Sequence, residues 1–193
     1  MSLIPQVIPQ APFRDAQKIK GGINPRINFT EKKELDFGFG FYMADRKGYA
    51  IKTAKSKAKG TKGTGRYDAV NDRPVLLTLV VDIDGILAEC GSDALILRHK
   101  NLDFLDKVFE ARFRCAGVDT INKRFVVAPI ADGNVDDVMQ WYRRKPWFCR
   151  RAWAYFRYWL PVLSRQFVLK DVSLCKFVSI VREETSYEKS SLN

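Results

Sequence analysis

The side chains most able to do chemistry in this chain are few and scattered. Asp82 and Asp84 close an apolar stretch, and residues two apart on a strand share a face, so they are candidates for a metal or general-acid pair. No third carboxylate lies beside them and Asp84-Gly85 is ordinary turn chemistry, so no metal is expected. His99, the only histidine, sits between Arg98 and Lys100 and reads as an exposed loop residue rather than a general base. The four cysteines, Cys90, Cys115, Cys149 and Cys175, lack metal-knuckle spacing. In a chain this long they read as free thiols in a reducing compartment rather than a disulfide framework.

Three other features carry more information. Asp36-Phe-Gly-Phe-Gly-Phe-Tyr42 places two glycines inside an aromatic run, a pattern that marks a bulge or a close backbone or ligand approach. No third glycine follows and no helix opens there, so this is not a dinucleotide-binding or P-loop motif. Phe41 and Tyr42 are neighbours in an aromatic run that by periodicity alone reads as core, although in a strand only one of them can face a given core. Further on, Gln166 lies on an apolar strand and reads either as a satisfied edge residue or as a site residue, since a buried amide needs a hydrogen-bonding reason. Finally, Arg143, Arg144, Lys145, Arg150 and Arg151 interleave with Trp147, Trp153 and Tyr155. Cations beside stacking rings suit single-stranded nucleic acid; a solvated face and a membrane-surface helix are the competing readings.

These residues need a scaffold. A chain of 193 residues, 46% hydrophobic and 28% charged, is sized for one globular domain with a full core. Residues 1–12, with Pro5, Pro9 and Pro12, read as an extended N-terminal arm, 13–184 as the domain and 185–193 as a flexible polar tail. Asp45–Lys59 reads as a helix capped by Asp45, with Ala50, Ile51, Ala54 and Ala58 at helical spacing. It runs into the glycine-bearing segment Lys57–Arg66, which reads as a mobile basic loop. Val75–Ile83, Arg124–Ile130 and Ser164–Leu169 read as buried strands. Asn101–Arg114, Val135–Tyr142 and 146–163 read as helices, and a helix-like turn leads to a last strand at Cys175–Val181. Without a steady strand–helix–strand rhythm, the class is α+β.

The chain carries 33 Lys and Arg against 22 Asp and Glu, a net charge of +11. This excess attracts polyanions: nucleic acid, nucleotides, acidic proteins or anionic lipid. No apolar run reaches the ~20 residues that span a bilayer, and the start lacks the basic and apolar regions of a classical signal peptide. The expected place is the cytoplasm, or a host cell reached by specialised delivery, and no membrane partner is expected.

Four segments resemble, in order, a bacterial family with a D-F-G-x-G-F-Y signature within the ADP-ribosyltransferase superfamily. They are Asp36–Tyr42, the helix from Asn101-Leu-Asp-Phe-Leu to Ala111-Arg112, Phe125-Val-Val-Ala-Pro-Ile-Ala-Asp-Gly133, and Arg165-Gln-Phe-Val168. The resemblance extends over about residues 23–181. The resemblance implies an ADP-ribosyltransferase-like fold: two small antiparallel sheets around an NAD cleft, with flanking helices. NAD would be the substrate of a mono-ADP-ribosyltransferase of the toxin or effector kind, modifying a protein or nucleic acid that the sequence does not name.

Residue by residue, the resemblance implies Tyr42 and Gln166 as catalytic positions, an aromatic wall for nicotinamide and a late-strand acceptor for its ribose. Gly38, Gly40, Phe41 and Tyr42 would bind NAD. A Gln at 166 supplies a hydrogen bond without the negative charge of a Glu. Relatives begin with a Tyr-His-Gly motif that this chain lacks; Phe13-Arg14-Asp15 falls near its place, so Arg14 is the candidate phosphate or ribose ligand. The alternative is a catalytically degenerate module of the same fold that binds nucleic acid or another polyanion through Arg143, Arg144, Lys145, Arg150 and Arg151.

Overall fold

A computed structural model describes residues 3–7, 10–25, 35–63, 74–114, 121–131 and 164–184. The expected helices at 135–142 and 146–163, the five basic residues at 143–151 and the tail at 185–193 lie outside them. The chain is a mixed α+β protein, and the described residues form two sheets of four strands each.

The first sheet is organised by β4 (Pro74–Asp82). Along one edge it pairs antiparallel with β1 (Leu3–Val7) and then β2 (Gln10–Pro12); along the other it pairs with β8 (Val178–Glu184). The proline-rich start is therefore extended, as its residues imply, but it is paired into the sheet instead of standing apart as an arm. Proline lacks a backbone donor and suits such an edge strand; Pro5 is paired opposite Val80 and Pro12 opposite Pro74.

The second sheet runs β3 (Phe41–Ala44), β7 (Arg165–Leu169), β6 (Phe125–Pro129), β5 (Ala94–Ile96). Its β5–β6 pair is parallel and the others antiparallel, which corrects the expectation of two purely antiparallel sheets. A parallel pair needs a crossover, and α4 (Leu102–Phe109) lies within it.

Alternation along the strands explains how the layers stack. Val75, Leu77, Leu79 and Val81 of β4 meet Phe41, Met43, Phe125, Val127, Phe167 and Leu169 of the second sheet in one buried cluster. The other face of the second sheet turns Val126, Ala128 and Val168 toward Phe104, Leu105, Val108 and Ala111 from α4 and its last turn. The second sheet is thus buried on both faces, and each large apolar side chain enclosed there stabilises by about 1.5–3 kcal/mol.

Three helical segments depart from expectation. Residues 13–20, where the resemblance places Arg14 as a ligand, form α1 (Phe13–Lys20) and pack Ala16 and Ile19 into the intersheet cluster. The next helix, α2 (Lys47–Gly63), begins two residues after Asp45 and continues where a loop was expected; Ala and Lys are strong enough helix formers to carry the run across Gly60. Asp45 does not cap it. Its Oδ1 instead accepts from Ser164 Oγ (2.6 Å) and Arg165 N (2.9 Å), joining β3 to the start of β7. The turn expected at Asp84-Gly85 opens α3 (Ile83–Cys90), capped by Asp82, whose carboxylate accepts from Gly85 N at 3.0 Å. A side chain at Gly85 would collide with the Phe177 ring (2.7 Å). Among the described residues no helix is long and apolar enough to cross a membrane.

Candidate functional site

Gln166 occupies the middle strand β7, paired with Ala44 on β3 and Ala128 on β6. It is 6% exposed and shares a face with Val168, two residues on, so it lies on the α4 side of the sheet. The small side chains of Ala44 and Ala128 leave room above it. That room is taken by Asp36, from the loop preceding β3: Gln166 Nε2 donates to Asp36 Oδ2 at 2.9 Å and to the Pro129 carbonyl at 3.0 Å.

Asp36 is held in turn by Arg112. The guanidinium donates to Asp36 Oδ1 from Nε at 2.9 Å and also from Nη2. Both side chains are nearly enclosed, 12% and 13% exposed. Such an ion pair contributes little net stability when intact, but removing one partner strands a buried charge at a cost of about 3–5 kcal/mol. Arg112 sits in a π-helical turn, Glu110–Arg114, that ends α4; such turns recur at functional sites. Asn101 starts the helix, its Oδ1 accepting from Phe104 N at 3.0 Å.

The Asp36–Gly40 loop is shaped from within. Tyr42 Oη donates to the Gly38 carbonyl at 2.7 Å and accepts from Phe37 N at 3.0 Å. Phe37 is fully buried and meets Phe104 edge to face, centroids 6.1 Å apart. Gly38 has φ 76°, a left-handed conformation that other residues disfavour. At Gly40 a Cβ would strike Val168 Cγ1 and lie 3.0 Å from the Leu169 carbonyl oxygen. The loop is also pinned from below: Lys170, 8% exposed, donates from Nζ to the carbonyls of Phe37 (3.2 Å) and Ile121 (2.6 Å) and lies 5.2 Å from the centre of the Phe39 ring.

The anticipated residues therefore divide. Gln166 and Tyr42 share a face: Tyr42 is opposite Val168, which makes it the diagonal neighbour of Gln166. Gly38 and Gly40 are in the loop above them, and Gly40 permits a close approach to β7. Phe41 points the other way, 2% exposed in the intersheet cluster, so its expected place in the NAD site gives way to a core role. Arg14 is on α1, whose Ala16 and Ile19 pack on the sheet face opposite Gln166. Asp82 is a helix cap and Asp84 is exposed.

Asp36, Arg112 and Lys170 are the polar residues around Gln166 and its loop that sequence reasoning did not single out. Asp36 and Arg112 stand inside the quoted motifs, yet they are 76 positions apart, and no local pattern announces their pairing. Lys170 had one signal, a lysine closing an apolar strand.

A second polar cluster ties the end of the sheet to α3. Arg124 donates from Nε to Asp171 Oδ2 (2.6 Å) and from Nη2 to Ser173 Oγ (2.8 Å), and Lys176 pairs with Glu89 (2.5 Å). The Ser173 backbone N–H, then the Arg124 guanidinium, hold the Asp171 carboxyl below its usual range. Away from both clusters, a concavity of about 430 Å³ opens between the end of α1 and β8. Cys175 lies at its wall; burial pushes this thiol up, and its Sγ is 3.4 Å from the Ile23 carbonyl.

No family model, curated protein or solved structure matches the chain.

Proposed function

We propose that this protein is an NAD-dependent mono-ADP-ribosyltransferase with an ADP-ribosyltransferase-like fold, acting as a toxin or effector on a macromolecular acceptor. One observation carries the reading. The four segments that resemble the transferase family meet at a single point: Asp36, Arg112, the Pro129 carbonyl and Gln166 form one hydrogen-bonded cluster. Tyr42 lies diagonal to it on the same sheet face.

The chemistry suits these groups. The bond between the ribose and nicotinamide breaks, the nicotinamide leaving with the electron pair. An acceptor nucleophile then forms the new bond at the same carbon and loses its proton. Positive charge develops on the ribose in between, and an acceptor oxygen nearby stabilises it; the Gln166 carbonyl oxygen is that group in this reading, and the Tyr42 ring the wall for nicotinamide. Calorimetric titration of the purified protein with NAD⁺, with nicotinamide release followed in the same sample, tests it. Binding with release supports the transferase; a folded protein showing neither overturns it.

A second reading is favoured by two observations of its own. The Tyr42 hydroxyl is engaged by its own loop, and α2 carries six lysines and no acidic residue. A module of this fold without catalysis would hold nucleic acid or another polyanion. Its affinity would fall steeply with salt through counterion release; salt-independent binding to an oligonucleotide, or none, counts against it.

A further inference from the structure

We infer that Asp36 is a positioning residue: it holds the Gln166 amide with both N–H groups turned inward, so that Oε1 alone is presented and the site takes a hydroxyl or N–H donor there. The orientation follows from the partners. A carboxylate and a peptide carbonyl can only accept, and a glutamine amide has two N–H donors on one atom and an acceptor on the other. Asp36 Oδ2 at 2.9 Å and the Pro129 carbonyl at 3.0 Å therefore both require nitrogen at the inner position. Turning the amide over would set oxygen against two oxygens.

Two further facts extend this to ligand chemistry. Gln166 is only 6% exposed, and among the described residues none donates to its Oε1. A buried acceptor without a donor is costly and calls for a partner. Since only the oxygen is on offer, that partner has to be a donor; a phosphate or carboxylate oxygen would be repelled. Asp36 itself cannot turn away, because Arg112 grips its other oxygen. The same geometry explains why residue 166 is Gln here. A carboxylate in its place would face both Asp36 and the Pro129 carbonyl.

That the donor is a ribose hydroxyl of NAD⁺ rests on the transferase reading; the amide orientation does not. The test keeps the two apart. Hydrogen exchange of the Gln166 side-chain amide, followed by NMR in the ligand-free protein, should be slow for both protons, and Asp36→Asn should make it fast while the fold persists. Calorimetry with NAD⁺ should then show Asp36→Asn weakening binding about tenfold, the loss of one charge-assisted hydrogen-bond arrangement. Fast exchange in the wild-type protein, or protection and affinity unchanged in Asp36→Asn, overturns the positioning role. The wild-type exchange decides even if the variant does not fold. Slow wild-type exchange without NAD⁺ binding by the wild-type protein supports the positioning role and overturns the transferase reading.

Discussion

The Gln166 amide and the Asp36 carboxylate lie 130 positions apart in the chain and 2.9 Å apart in space. This hydrogen bond joins the middle strand of a doubly buried sheet to the glycine loop that precedes β3. It makes Gln166 a member of a charged cluster, not an isolated amide in an apolar strand.

Replacing Gln166 by Glu should reverse the usual pH response at this point. The new carboxyl would face Asp36 and the Pro129 carbonyl and could donate to one of them only when protonated. Its folded pKa is therefore raised, so its contribution is present at acidic pH and lost as pH rises through that value. Relative to wild type, Gln166→Glu should gain stability on acidification, measured by urea unfolding across pH. A stability difference independent of pH would argue that Asp36 and residue 166 are not coupled.

Arg112→Met should destabilise the protein by about 3–5 kcal/mol, because it leaves the Asp36 charge enclosed without its partner. Adding Asp36→Asn to that variant should recover part of the loss. A double-mutant cycle by chemical denaturation measures the coupling, and additive losses would contradict a direct pair.

Tyr42→Phe removes the donor to Gly38 and the acceptor for Phe37 N and should cost about 1–3 kcal/mol. The ring remains, so NAD⁺ affinity should change little, whereas Tyr42→Ala should abolish it if the ring walls nicotinamide. Equal affinity in both variants would remove Tyr42 from the site.

Gly40→Ala should be among the most damaging small changes, about 2 kcal/mol or more, since the methyl meets Val168 and the Leu169 carbonyl in a backbone conformation that suits glycine. Gly48→Ala meets nothing within 4 Å and serves as the control. Thermal unfolding of the two separates close packing from general glycine effects.

The Asp171 carboxyl, held low by Ser173 N–H and Arg124, contributes stability above its ordinary pKa of about 4, which is lost as pH falls through the lower folded value. Asp171→Asn should lower the melting temperature near neutral pH, and its deficit should shrink on acidification. A deficit that stays constant with pH would show that the carboxyl does not titrate in this way.

Much of the framework is determined by sequence alone. The β-branched run at Val75–Val81 and the apolar stretches at 125–129 and 165–169 can only be buried strands, and the spacing of Phe104, Leu105 and Val108 can only be an amphipathic helix face, because these periodicities are local. Local patterns do not say which strands pair. For that reason the proline-rich start read as an arm although β4 takes it in, and the β5–β6 pair is parallel although an antiparallel one was expected. The site divides the same way. Gln166 and Tyr42 stood out by residue type and resemblance, but Phe41 joined the intersheet core, since side-chain direction depends on what each face meets, and residue 14 falls on a helix whose Ala16 and Ile19 pack on the far face. Asp36, Arg112 and the Pro129 carbonyl became partners of Gln166 only through tertiary packing, which brings together hydrogen-bonding groups that nothing nearby in the chain could satisfy.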